Sequence, residues 1–162
     1  MVERTLALAL AVLMAGCTAP PVQVASGHPA ESVAGEPSMS AAPTLAFTVE
    51  EADEAPAGAI EILLTFGPMF EPEEVSAAAG TIVFFLQNDQ GDGPPAAHNF
   101  LLGTSMEEPP LAASPTLSSG QAVLFTVEGV EPGTYTYWCT VPSPDGRSHA
   151  VYGMVGKLTV TP

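Results

Sequence analysis

The sequence predicts an all-β protein: a Greek-key β-sandwich of seven to eight short strands, preceded by a disordered tether. Three observations predict it. From about residue 45 onward, apolar, β-branched and aromatic runs of five to eight residues recur between Gly- and Pro-rich breaks. The breaks at Pro94-Pro95, Pro109-Pro110 and Pro142 to Pro144 exclude long helices there. The 118 residues from 45 to 162 suit one domain with one core.

The elements follow in chain order. Residues 6–14, LALALAVLM, are apolar behind Arg4 and too short to span a bilayer, so 1–16 reads as a signal peptide. Leu13-Met14-Ala15-Gly16-Cys17 places small residues before a cysteine at the cleavage point and resembles the lipobox of bacterial lipoproteins. The resemblance implies cleavage before Cys17, lipidation of its thiol, and an extracytoplasmic chain anchored to a membrane, in the periplasm or at the cell surface. Residues 17–44 continue as a Pro/Ala-rich linker without periodicity or large apolar side chains, a composition that cannot offset chain entropy by burial. As a flexible coil it would reach roughly 30 Å, and stiffened by proline nearer ~80 Å. His28 lies within it with no second ligand nearby and reads as a solvated linker residue.

The domain 45–162 then offers eight candidate strands: TLAFTVE (44–50), AIEILLTF (59–66), EEVSAA (73–78), TIVFFLQN (81–88), HNFLLG (98–103), QAVLFTV (121–127), GTYTYWCT (133–140) and GKLTV (156–160). In the fourth, Phe84 and Leu86 fall on one side and Val83 and Phe85 on the other, which predicts burial on both faces or a face under a loop. The acidic stretch Glu50 to Glu54 reads as a solvated face or loop.

Charge narrows the partners. The formal net charge is −15. Removing residues 1–16 takes away Glu3 and Arg4 together, so Arg147 and Lys157 face seventeen acids in the processed chain. Nucleic-acid binding requires a basic footprint and is excluded. Attachment to an anionic lipid surface would have to come from acyl chains rather than charge.

Cysteine usage raises the chemical question. If Cys17 is acylated, Cys139 has no disulfide mate, although the chain is expected outside the reducing cytosol. Two readings account for a protected lone thiol: burial as a small apolar residue, or metal ligation. Cys139, His149 and Met154 share the segment between the last two strands, and His98 opens an earlier one. A thiolate, two imidazoles and a thioether are a soft set suited to copper, with the thioether weak and axial, whereas zinc prefers four strong ligands.

His98-Asn99-Phe100, the run Pro132-Gly133-Thr134-Tyr135-Thr136-Tyr137-Trp138-Cys139-Thr140-Val141-Pro142, and His149 followed by Gly153-Met154-Val155-Gly156 resemble the cupredoxin family of type 1 blue copper proteins. Phe70 to Val75 and Ala79 to Phe84 are similar to the family's first core strands, so the likeness spans roughly 59–162. It implies one mononuclear copper site with His98, Cys139 and His149 as equatorial ligands and Met154 as the axial one. It assigns nothing to Met39, Met69 or Met106, which read as linker, core and loop residues. In the family the second histidine usually follows the cysteine by a few residues, whereas here Thr140 to Ser148 intervene. Within that stretch Ser143-Pro144-Asp145-Gly146-Arg147-Ser148 is a ready-made turn, able to bulge outward and leave its ends in place. Asn99 reads either as a hydrogen-bonding support for the thiolate loop or as an ordinary edge-strand residue.

Three strong ligands and one weak one leave no position for a substrate, and three histidines are too few for a multicopper oxidase cluster. The expected function is therefore not enzymatic: a membrane-tethered monomer cycling Cu(I)/Cu(II) with a redox partner such as a cytochrome or terminal oxidase. A copper delivery or sequestration lipoprotein is the alternative, and a metal-free interaction module is the third reading.

Overall fold

The computed structural model describes residues 44–162. The expected signal peptide at 1–16, and Cys17, His28 and Met39, lie outside the described residues.

Ten strands follow one another: β1 (Phe47–Glu51), β2 (Ile60–Thr65), β3 (Met69–Glu71), β4 (Glu74–Ala78), β5 (Gly80–Asn88), β6 (Leu101–Gly103), β7 (Ala112–Ala113), β8 (Ala122–Val130), β9 (Gly133–Trp138) and β10 (Val155–Thr161). A single 3-10 turn, His149–Tyr152, separates the last two. All eight expected strands are present, and β3 and β7 are additional. No helix among the described residues is long and apolar enough to cross a membrane.

The strands form two five-stranded sheets, ordered β1-β8-β5-β2-β3 and β4-β10-β9-β6-β7. Pairing is antiparallel except for β2 with β5 and β4 with β10. Alternation of apolar and polar residues decides which face turns inward. Val123, Phe125 and Val127 are buried along β8, and Leu158 and Val160 along β10. On β5 Ile82, Phe84 and Leu86 are buried, and so is Phe85, whereas Val83 is half-buried. Met69 departs from its expected core position: it stands 39% exposed on the short edge strand β3, and alternation puts Phe70 inside instead.

An aromatic cluster joins the sheets. Phe100 stacks on Tyr137 with ring centroids 4.9 Å apart, Phe70 meets Tyr137 edge-on at 5.1 Å, and Phe84 meets Phe100 at 5.1 Å. Each such pair adds about 0.5–1.5 kcal/mol beyond area burial. The Tyr137 hydroxyl donates to the Pro72 carbonyl at 2.8 Å.

This cluster positions what lies beyond it. Tyr137 and Cys139 are two residues apart, as are Phe100 and His98, so period-2 alternation directs each pair to the same interior. Leu101 of β6 and Val155 of β10 both pair with Trp138 at the end of β9. The segment entering β6, the segment leaving β9 and the segment entering β10 therefore meet at one end of the sandwich.

Candidate metal centre

At that end, His98, Cys139 and His149 come together, all buried, with their ligand atoms within 4.8 Å of one another. The Cys139 Sγ lies 3.9 Å from His98 Nδ1 and 3.6 Å from His149 Nδ1, and the two Nδ1 atoms are 3.0 Å apart. A metal about 2.0 Å from nitrogen and about 2.3 Å from sulfur, in a trigonal plane, would separate its donors by roughly 3.5–3.7 Å. The three donors fit that pattern, with the two nitrogens slightly closer. Met154, also fully buried, sits on the same loop just before β10.

Each side chain is held by backbone bonds that the local sequence permits. His98 precedes β6 rather than opening it. It forms an isolated bridge with Leu117, its N–H donating to the Leu117 carbonyl at 3.0 Å and its carbonyl accepting from Leu117 N–H at 2.7 Å. Cys139 N–H donates to the Met154 carbonyl at 3.2 Å, and the Cys139 carbonyl accepts from Ala150 N–H at 3.0 Å. His149 N–H donates to the Val141 carbonyl at 2.9 Å, and Met154 N–H to the His149 carbonyl at 3.1 Å. The loop between the cysteine and the methionine is thus cross-braced at both ends. Gly153, at φ 101°, ends the 3-10 turn in a left-handed conformation that only glycine adopts freely.

The long spacing between Cys139 and His149 is absorbed outside this brace. Pro142 and Ser148 pair across a bridge, Ser143 N–H donates to the Arg147 carbonyl at 2.7 Å, and Gly146 N–H to the Ser143 carbonyl at 2.8 Å. Residues 143–147 close a small hairpin on their own. Its tip is tied to the 3-10 turn by the Tyr152 hydroxyl, which donates to Asp145.

Asn99 does support the thiolate loop. Its side-chain amide donates to Thr140 Oγ1 at 2.9 Å, its carbonyl oxygen accepts from Thr140 N–H at 2.8 Å, and its backbone N–H points at Cys139 Sγ at 3.5 Å. Burial pushes the Cys139 thiol pKa up, and the backbone N–H groups of Asn99 and Val141 pull against that shift. Burial, then the charge of His149, lowers His98 to about 4, and burial lowers His149 as well. Both imidazoles are therefore held neutral, the form that binds a metal.

Two polar residues beside the site have no counterpart in the sequence-based expectations. Asn88, fully buried, donates through its amide to the carbonyls of Ala96 and Leu117, each at 2.8 Å. Gln90 donates to the Leu64 carbonyl at 3.1 Å and to Asn88 Oδ1. The signal for them was alternation: positions 88 and 90 continue the inward series of Phe84 and Leu86 with polar side chains. Outside His149 and His98 lies a pouch of about 440 Å³ walled by Phe66, Pro68, Pro94, Pro95 and Pro144.

Known proteins resemble this chain in sequence and fold. The profile of copper-binding proteins of the plastocyanin/azurin family matches residues 67–161. A plastocyanin from Prochlorothrix hollandica is 31% identical over 113 residues, covering 65% of this chain and 77% of that protein. Among solved structures, dithionite-reduced auracyanin from Roseiflexus castenholzii superposes with a TM-score of 0.54 at 24% identity, covering 67% of this chain and 100% of its own. Auracyanin B superposes with a TM-score of 0.54 at 25% identity, covering 75% and 100%. With buried imidazole, thiolate and thioether donors converging at one end of the sandwich, the chain belongs to the copper-binding plastocyanin/azurin family, the cupredoxins.

Proposed function

We infer that the protein is a one-electron carrier in which His98, Cys139 and His149 would hold a single copper ion, with Met154 as a fourth, weaker ligand. The observation that carries this reading is the cluster of three buried donors within 4.8 Å of one another on independently braced segments. Copper bound there would supply a Cu(I)/Cu(II) couple and no open position for a substrate.

The chain's own residues do the rest. Burial of Cys139 keeps oxidants from its sulfur. Bracing of the loop would hold the donors in one arrangement whether copper is oxidised or reduced, so that little would have to move on electron transfer. His149 and His98 both line the proline-walled pouch, and His149, the more exposed of the two, would be the ligand through which a partner docked there exchanges electrons. The double backbone attachment of His149 favours retention of copper over delivery, because release would require breaking the brace.

Lipidation at Cys17 would tether the domain by the linker to an extracytoplasmic membrane. A redox partner in the same membrane, such as a cytochrome or an oxidase domain, would then meet it at raised effective concentration.

The test is a visible absorption spectrum of the protein before and after one equivalent of Cu(II), repeated with Cys139→Ser. An intense thiolate-to-copper band that ascorbate bleaches and ferricyanide restores, absent from the variant, is the expected outcome. Copper binding without such a band would overturn the assignment. Rapid loss of copper to a chelator, with the band present, would favour delivery over electron transfer.

A further inference from the structure

Two buried side-chain atoms among the described residues lack a hydrogen-bond partner in the protein: His98 Nε2 and Gln90 Oε1. His98 is 1% exposed and Gln90 6%. Both residues line the same pouch. An orphaned buried polar atom costs about 1–3 kcal/mol, and native interiors leave few of them.

The two orphans are complementary. His98 turns Nδ1 toward Cys139 and His149, so on the ligand assignment above its neutral ring carries the proton on Nε2 and must donate. Gln90 cannot exchange its oxygen for its nitrogen, because that nitrogen donates to two acceptors, the Leu64 carbonyl and Asn88 Oδ1. Its Oε1 can only accept. One group lacks an acceptor and the other a donor. Water is both, and a small shift of the side chains lining the pouch would admit it to the two atoms, each now closed to solvent.

We propose that ordered water, one molecule or a short chain, sits at the inner wall of the pouch, accepting from His98 Nε2–H and donating to Gln90 Oε1. Gln90 is then a positioning residue for the copper ligand His98. It fixes the imidazole tautomer and, by drawing on the Nε2 proton, makes Nδ1 a stronger donor. Asn88 extends the same network: it orients Gln90 through Oδ1 and holds the carbonyls of Ala96, two residues before His98, and of Leu117, which also accepts from His98 N–H. The proposal rests on the reading of His98 as a copper ligand.

The experiment is the reduction potential of the copper-loaded full chain with Gln90→Leu and Gln90→Glu. Loss of the acceptor in Gln90→Leu weakens Nδ1, favours Cu(I) and raises the potential. Gln90→Glu gives up the amide's bonds to Leu64 and Asn88 but retains an acceptor and adds negative charge, which favours Cu(II) and keeps the potential at or below the starting value. Changes around a metal ligand of this kind are worth about tenfold or more, and tenfold in Cu(II)/Cu(I) preference corresponds to about 59 mV for one electron. Potentials unmoved in both variants, or moved upward in both alike, would overturn the role of Gln90. Proton and nitrogen NMR of the Cu(I) protein covers the case in which Gln90→Leu does not fold. A His98 Nε2–H that is protonated and exchanges magnetisation with bound water supports the bridge, and an unprotonated nitrogen or one remote from water overturns it. Absence of the thiolate–copper band in the unmodified chain would instead strike at the ligand assignment, so the two failures are distinguishable.

Discussion

Burial and the adjacent His149 lower the His98 pKa from 6.5 to about 4, so the unfolded chain takes up a proton more readily than the folded one. In the metal-free protein, folding stability therefore rises with pH across that interval and falls as pH drops through it, by roughly 3 kcal/mol at most. Urea titrations of metal-free chain between pH 4 and 7 should show this slope, and His98→Gln should remove most of it. A slope retained by the variant would place its origin elsewhere. Asn99 makes a different kind of contribution, because its side chain is the direct tie between the His98 segment and the Cys139 loop. Asn99→Ala gives up two hydrogen bonds at a half-buried position, about 1–2 kcal/mol together. Loss of copper to a chelator should speed up in parallel, and an unchanged rate would mean that the loop is held without this tie.

The hairpin at 143–147 and the glycine on β10 show what an element requires of its sequence. Gly156 faces Tyr137 across the β9–β10 pair, and a Cβ there would run into the tyrosine ring. Gly156→Ala must displace a ring that stacks on Phe100 and donates to Pro72, an overpacking cost of about 1–3 kcal/mol. Thermal unfolding should register it as a large drop in midpoint. Gly146, at φ 84° in the hairpin, sits in open space. Gly146→Ala should cost only the left-handed backbone penalty, about 1–2 kcal/mol, and leave the thiolate–copper band where it was. A shifted band would show that the hairpin shapes the site rather than bulging away from it. The Pro and Asp-Gly of this insertion were legible as a turn, and so were the eight expected strands, because alternation and turn chemistry are local. β3 and β7, of three and two residues, were too short to leave a period, whereas β6, also of three, closes the longer apolar run that begins at His98. His98 read as the first residue of a strand, whereas its partner Leu117 lies in an isolated bridge that no local pattern announces. The four candidate ligands were legible from residue type and order. Alternation marked Asn88 and Gln90 as inward-facing, but not their role, because their partners Leu117 and Leu64 are 29 and 26 residues away in sequence.

For the molecule as a whole, charge is the property that reaches a partner first. The processed chain expected from the sequence carries seventeen acids against Arg147 and Lys157. Among the described residues, Lys157 is already paired with Glu74 at 2.7 Å and Arg147 lies 3.6 Å from Asp145, so little positive charge is left to project outward. Such exposed pairs add little to stability. Their consequence lies in the field, because they leave the remaining carboxylates uncompensated. Asp89 and Asp92 are exposed in the loop that carries Gln90, Pro94 and Pro95 to the pouch, so part of this negative field surrounds the approach to His149. Association rates with a charged partner follow the summed field and are screened over about 10 Å at 0.1 M salt. Stopped-flow oxidation of the Cu(I) protein should therefore depend on the sign of the oxidant. A cationic complex should react fastest at low ionic strength and slow as salt is added, while ferricyanide should speed up under the same change. Replacing Asp89 and Asp92 together by asparagine should flatten both dependences if electrons pass beside the pouch. Dependences unchanged by that pair would place the exchange face elsewhere on the sandwich.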